Sequence, residues 1–472
     1  MSTPPAYDLP LRRSTGTLDR ALHGARHIAY WLDSAERPAA LAPLSDDLVA
    51  DLTVVGGGYC GLWSALLAKE RNPELDVVIV EGREVGWAAS GRNGGFVEAS
   101  LTHGPENGER YFSSELEALD RLGHDNWREF ADDIHRHGIE AEYENGGVIT
   151  VATEPHQVPW LEALAGPQKE FLDQEALAGH VMSPLFRAGV HDKEGALVNP
   201  AKLAWGLKRV CLEKGVRIFE NSPVKGLSRQ GEHVSAHTPG GSVQASQVIL
   251  ATNGFPSLLF RNKLRTIPVY DYALMTEPLT DDQLQAIGWT ERFGLTDMSR
   301  QFHYYRKSVD NRILWGGYDA VYHRGGRIKP EYDIRKETFL RLADHFMDTF
   351  PQLPDITFTH AWGGMIDMSS RLVAFHGTAI GGKVAYSSGF TGLGVAATRF
   401  AAKAMLDLLD GADTEITRTK LVRTKPLPLP PEPIASASVG IIRRTVAQSD
   451  RNGGRDGTIL KLANALGYSF DT

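Results

Sequence analysis

Cysteine is nearly absent: Cys60 and Cys211 are the only two in 472 residues. That scarcity excludes a disulfide framework and points to a reducing compartment. No apolar run approaches the roughly 18 residues that a membrane-spanning helix needs, so no membrane span is expected. Arg12-Arg13 is followed by STGTLDRALHGARH rather than an apolar stretch, which argues against twin-arginine export and for a cytoplasmic protein. A surplus of positive charge is also missing: 50 Lys+Arg stand against 58 Asp+Glu, a net charge of −8. The run Ile441 to Arg444 is too short for a basic patch, so no nucleic-acid partner is expected. Metal-ligand spacing is absent as well. His135 and His137 are two residues apart and do not share a helical face, and no metal is expected.

What the chain does have is glycine, 48 residues of it, concentrated in a few turns. Its length predicts two domains. Residues 1–50 are rich in proline and alanine and read as an N-terminal extension over the main body. At Asp51 the pattern becomes apolar strand (52–55), glycine turn (56–61), helix (62–70) and apolar strand (77–80), a βαβ unit. Helices are expected near 113–137, from Asn199-Pro200 to Gly215, over 338–350 and over 395–409. Hairpins are expected at 233–250 and around SVDN within 300–319. The chain after 413 reads as an irregular, proline-rich tail (413–472). The fold expected is α/β, α+β overall. A discontinuous Rossmann-type cofactor domain (51–100, 196–265, 361–412) would embrace a mixed-sheet substrate domain (101–195, 266–360).

Gly56, Gly58 and Gly61 form G-x-G-x-x-G between strand and helix, with Glu81 at the tip of the next strand. The first glycine permits a tight turn, the second lets backbone approach a pyrophosphate, and the third lets helix meet strand. Glu81 would accept hydrogen bonds from ribose hydroxyls, and its charge disfavours a 2′-phosphate. NAD and FAD share this fingerprint. An NAD domain would continue with closely spaced βαβ units, whereas here more than 100 residues of other material intervene before the next glycine-ended strand. FAD needs further segments for its ring, and three are present: Ser90-Gly91-Arg92-Asn93-Gly94-Gly95, Ala251-Thr252-Asn253-Gly254, and Gly389-Phe390-Thr391-Gly392-Leu393-Gly394. The last opens a helix whose positive end suits the charge that a reduced flavin acquires.

GGGYCG…E, GWAASGRNGG, ATNG and GFTGLGVAATR together resemble the FAD-dependent amine and amino-acid oxidoreductases of the D-amino-acid oxidase superfamily. Within it the likeness is to the gamma-glutamylputrescine and aminophosphonate oxidoreductases. It extends over about residues 27 to 472 and takes in AYWL and WGGMID (362–367). The resemblance implies a pyrophosphate turn at Gly56, Gly58, Tyr59, Cys60 and Gly61, and ribose contacts at Glu81 and Gly82. It implies a backbone contact to adenine at Val224, and flavin contacts along 90–95, 251–254 and 389–394. Some relatives link the flavin through a His after the second strand or a Cys near the last loop. This chain has neither, which implies FAD held non-covalently.

The same resemblance implies oxidation of a C–N bond, hydride leaving the amine-bearing carbon and the imine being hydrolysed. Such chemistry needs positioning and dryness rather than a strong acid or base. The substrate would be a small amine or amino acid, and oxygen is one candidate electron acceptor. The candidate catalytic side chains are His103, Tyr270, His303, Tyr305 and Arg306. Neighbouring Tyr304 and Tyr305 point to opposite faces of one strand, so one of them at most faces the flavin, while Tyr270 and Tyr272 share a face. Arg306 would clamp a carboxylate or phosphonate. Asp367 would pair with Arg371 or with a substrate ammonium, and His376 reads as structural. Two other readings remain: a flavoprotein whose FAD is a relay or a structural element, and an NAD-dependent dehydrogenase.

Overall fold

The computed structural model describes residues 6–7, 10–455, 457–459 and 461. The remaining parts of the expected N-terminal extension and C-terminal tail lie outside the described residues.

Two eight-stranded sheets and a two-stranded ribbon organise the chain. In the first sheet Leu48–Val55 lies parallel to Val77–Val80 on one side and to Gly241–Leu250 on the other. Arg217–Phe219 and Val384–Ser388 extend the parallel array outward. Val77–Val80 is buried throughout, as expected of a parallel strand covered on both faces. Helices Tyr59–Arg71, Pro200–Glu213 and Ala397–Leu409 cover one face and share its core with Leu119, Phe130 and Ile134 of the helix Leu116–Arg136. Asn199 caps Pro200–Glu213 through its side chain, with Pro200 in the first turn.

The second sheet runs Phe358–Ser369, Thr266–Thr276, Ile313–Gly317, His303–Lys307, Gly294–Asp297, Val148–Ala152, Ala188–Asp192, Lys169–Leu172. All its pairings are antiparallel except Gly294–Asp297 with Val148–Ala152. Residues 361–369, grouped on sequence with the cofactor domain, pair along their length with Thr266–Thr276 and so belong to this sheet. Its Tyr270, Tyr272, Tyr305 and Trp315 side packs on the amphipathic helix Lys336–Thr349.

The described parts of both ends are more ordered than their composition suggests. The N-terminal segment buries Leu18, Trp31 and Leu44 and supplies the start of the first strand at Leu48. The expected irregular tail contains the helix Ile434–Arg451. Asp319 holds that helix through Arg443 (2.9 Å) while also accepting from Arg335, Arg341 and Thr338. The second RNGG, Arg451 to Gly454, ends this helix as a turn.

Candidate functional site

The first strand runs into Gly56, whose φ of +112° turns the chain sharply. A Cβ at Gly56 would lie 2.5 Å from the Ala251 carbonyl oxygen, and one at Gly61 would lie 1.9 Å from the Gly56 oxygen. Neither position admits a side chain. Gly58 precedes the helix Tyr59–Arg71 without a side-chain cap, so the helix's positive end opens onto the turn. The Tyr59 amide donates to Ser90 Oγ (3.0 Å) and its hydroxyl to the Pro200 carbonyl (2.8 Å). Burial pushes the Cys60 thiol up to about 12, which makes it inert.

Glu81 is buried at the tip of Val77–Val80. It accepts from the amides of Gly57 (2.6 Å) and Arg83 (2.8 Å) and from the Trp87 indole (3.0 Å). Desolvation raises its carboxyl pKa, and the two amides and the indole offset part of that rise. Gly82 is exposed beside the backbone of Pro223, which brings Val224 to the same edge.

Segment 86–96 contains a short helical turn, Ala89–Arg92, followed by Gly94 and Gly95 wedged against the second sheet. A Cβ on Gly94 would meet the Tyr304 ring at 2.9 Å. One on Gly95, where φ is +77°, would meet the Val198 oxygen at 2.1 Å and Arg306 Nη1 at 2.5 Å. Arg92 and Asn93, expected to contact the cofactor, have side chains bonded to protein. Arg92 donates to the Trp87 carbonyl (2.9 Å) and pairs with Asp333. The Asn93 amide donates to the carbonyls of Ala89 and Ser90 and accepts from the Gly95 amide. A tight turn leaves carbonyls that need donors, and these side chains are the nearest.

Arg306, expected as a substrate clamp or a solvated arginine, is not solvated. Fully buried, it donates through Nη1 to the Val198 carbonyl (2.5 Å), with the Gly94 and Gly95 carbonyls at 3.4 Å, and lies over the Trp31 ring. Its pKa is lowered to about 9 by burial.

The other two glycine loops meet at Asp367. Its carboxylate accepts from the amides of Gly389 and Phe390 (3.0 Å for the latter), and its backbone carbonyl accepts from the Thr391 amide (3.1 Å). With the Asn253 amide oriented to satisfy both groups, its nitrogen donates to Oδ1 at 2.7 Å and Oδ2 at 3.1 Å. Asp367 thus ties 251–254 to 389–394. The expected partner Arg371 points elsewhere, to Thr424 and the carbonyls of Leu421 and Ala374. On a strand, residues four apart do not converge as they do on a helix. Asn253, Gly389, Thr391 and Gly392 all have positive φ, while Gly254 packs on Met365 and Asp367. Ala251 is buried where the strand ends, with Thr252 half-buried beside it and Leu393 and Gly394 half-buried at the entry to Ala397–Leu409. His103 joins this cluster, its Nε2 2.7 Å from the Thr391 carbonyl, with a pKa lowered by burial.

Three of the candidate catalytic residues lie on the far side of the second sheet. His303 is fully buried between Asp297 Oδ2 (2.7 Å) and His345 Nδ1 (3.0 Å). Tyr305 sits in an apolar core with Trp289, Trp315 and Phe350. Tyr270 faces the same core and stands edge-on to His323 and Tyr332. Strand alternation therefore presents Tyr304, not Tyr305, to the glycine segment. Tyr304 donates to Asp271 Oδ2 (2.6 Å), a residue the sequence reading overlooked. Burial raises the Asp271 carboxyl to about 6. The signal available for Tyr304 was its shared parity with Arg306; nothing in the sequence marked Asp271. His376 is structural, bonded to Ser387 Oγ at 2.7 Å. His137, dismissed as a ligand, does meet Asp133, one turn earlier in the helix it caps, and Glu70 of the helix Tyr59–Arg71. Arg136 already pairs with both carboxylates and Arg399 with Asp133.

The family model described as FAD dependent oxidoreductase matches residues 51–408. The chain belongs to that family. Gamma-glutamylputrescine oxidoreductase of Escherichia coli is 29% identical to this FAD-dependent oxidoreductase over 393 residues, covering 81% of this chain and 89% of its own. A probable oxidoreductase of Haemophilus influenzae is 25% identical over 410 residues, 82% of this chain and 89% of its own. Glycine oxidase from Geobacillus kaustophilus shares the fold, with a TM-score of 0.66 at 16% identity over 80% of this chain and 99% of its own. FAD is the cofactor, and the residues present fit it: two turn glycines where any Cβ would strike a carbonyl, an uncapped helix end, and a buried acid at the next strand tip. Both cysteines are buried, in keeping with FAD held non-covalently. Among the described residues no helix is long and apolar enough to cross a membrane.

Proposed function

We propose that this oxidoreductase oxidises a C–N bond in a small amine or amino acid to an imine, which water then hydrolyses. When bound, FAD supplies the two-electron acceptor for hydride from the amine-bearing carbon. Gly56, Gly58 and the helix end behind them would hold the pyrophosphate, Glu81 the ribose, and Val224 the adenine edge. Segments 90–95, 251–254 and 389–394 would bound the ring, with His103 steadying the last through Thr391.

The observation that carries this reading is the Tyr304–Asp271 pair, held against Gly94 by a sheet whose opposite face is sealed. It places an oriented hydroxyl and an acid beside the ring segment. Tyr304 would orient the amine, and Asp271, whose carboxyl burial raises to about 6, would fix Tyr304 and favour a hydrogen-bond-donating substrate nitrogen. Phe96 and Trp362 flank the space and help exclude water. The names of the relatives support the same chemical class.

Anaerobic mixing of the yellow protein with a panel of amines and amino acids tests the reading. Bleaching of the flavin bands by at least one compound is expected. If every compound leaves the spectrum unchanged, the flavin is a relay or a structural element instead. Readmitting air to a bleached sample then shows whether oxygen restores the colour.

A further inference from the structure

Immediately beyond Ala251–Gly254 the chain forms an exposed turn with Phe260 at its tip, 75% accessible. Two other segments lie beside it. The Leu429 amide donates to the Leu264 carbonyl (2.7 Å), and Arg265 donates to the Pro426 carbonyl. Glu432 accepts from the Tyr322 hydroxyl (2.5 Å) and the Gly325 amide (3.0 Å). Residues 255–265, 322–327 and 425–434 therefore form one continuous ribbon of surface. It carries Phe260, Leu264 (44%), Leu427 (47%) and Ile434 (56%), four of the large apolar side chains that the described surface exposes most. Interleaved with them are the exposed cations Arg261, Lys263, Arg324 and Arg327. The single acid in the three segments, Glu432, is engaged by its neighbours and by the Ser436 hydroxyl.

We infer that this ribbon docks the protein on an anionic lipid surface, with Phe260, Leu264, Leu427 and Ile434 entering the interface and the four cations meeting headgroup phosphates. This goes beyond the proposed oxidation and stands independently of it. Isolated apolar tips separated by cations suit an interface where acyl chains lie just below phosphates. They suit other partners poorly. A nucleic acid would leave four apolar side chains against water or phosphate, and a face-to-face second copy would set cations against cations. The chain as a whole carries −8, so an anionic surface repels the rest of the molecule and selects this face.

Co-sedimentation of the purified full-length protein with phosphatidylcholine vesicles, with and without phosphatidylglycerol, tests the inference. Binding is expected only to the vesicles containing phosphatidylglycerol and is expected to weaken as salt is added. Removing one cation should lower partitioning roughly fivefold, and the Arg261→Ala/Lys263→Ala pair about twentyfold. Phe260→Ser should weaken binding without changing the salt dependence. Flavin absorbance and thermal midpoint serve as controls that these exposed variants remain folded. Three results would overturn the inference: equal partitioning to both vesicle types, no binding at low salt, or variants that bind as the parent does. Dimerisation in solution that Phe260→Ser abolishes would do the same, assigning the face to a second copy.

Discussion

Asp367 is one carboxylate doing the work of a hinge pin, and its environment makes it sensitive to pH. Burial raises its pKa to about 7, above the ~3.9 of an unfolded aspartate. Between those values the folded chain keeps a proton that the unfolded chain has released. Stability from this group is thus fully present below about pH 4 and is lost as pH rises toward about 7, by ~4 kcal/mol at most. Urea unfolding of the apoprotein across that window should show the decline, and the Asp367→Asn variant should show a shallower one. Parallel curves would mean that the carboxyl is ionised throughout. At this scale the sequence was readable where backbone geometry dictates the residue. Gly56 and Gly61 could be assigned because a side chain has nowhere to go. Asp367 could not, since its partners are remote in the chain: amides more than twenty residues later and the much earlier side chain of Asn253.

Among elements, the helices and hairpins with local punctuation were legible. Asn199-Pro200 marks a helix start by its own chemistry, and SVDN closes a hairpin between His303–Lys307 and Ile313–Gly317. Alternation along His303–Lys307 was legible too, but not its sign. Both faces of that strand are covered, one by the helix Lys336–Thr349 and the other by segment 90–96, so parity alone could not say which face meets the cofactor segment. The helix Ile434–Arg451 was missed because its apolar residues are sparse and docking supplies what propensity does not. The Asp450 carboxylate accepts from the amides of Arg300 and Gln301, and Arg443 reaches the buried Asp319. Asp319→Asn removes the anion that three arginines share, with Glu337 left to Arg335. Because those arginines are partly solvated, the expected cost is about 1–3 kcal/mol, at the low end for a broken buried pair. Limited proteolysis should cut within 425–433 faster in this variant than in the parent. An unchanged cleavage rate would show that Asp319 does not hold the helix.

For the whole molecule, the two sheets are joined by segments that cross between them and converge on the glycine turns proposed to hold FAD. Ligation and folding are therefore expected to be coupled. Adding FAD to the apoprotein at about 100 times its dissociation constant should raise stability by about 2.7 kcal/mol and make the thermal midpoint depend on FAD concentration. A midpoint indifferent to FAD would mean that the loops are formed without regard to the cofactor. The class of fold and the cofactor were legible from glycine spacing across the whole chain. The substrate face was not, because it depends on which side of a long-range sheet each side chain takes.

The N-terminal segment adds a last point. The Trp31 indole donates to the Asn93 carbonyl (3.0 Å), and its ring receives the Arg306 guanidinium from the other side. Trp31 is thus a strut beneath the glycine segment 90–95. A fragment trimmed to the family boundaries, 51–408, keeps every glycine motif and loses that strut. Such a fragment is expected to hold FAD more weakly than the full chain, through the loss of residues that no cofactor motif contains.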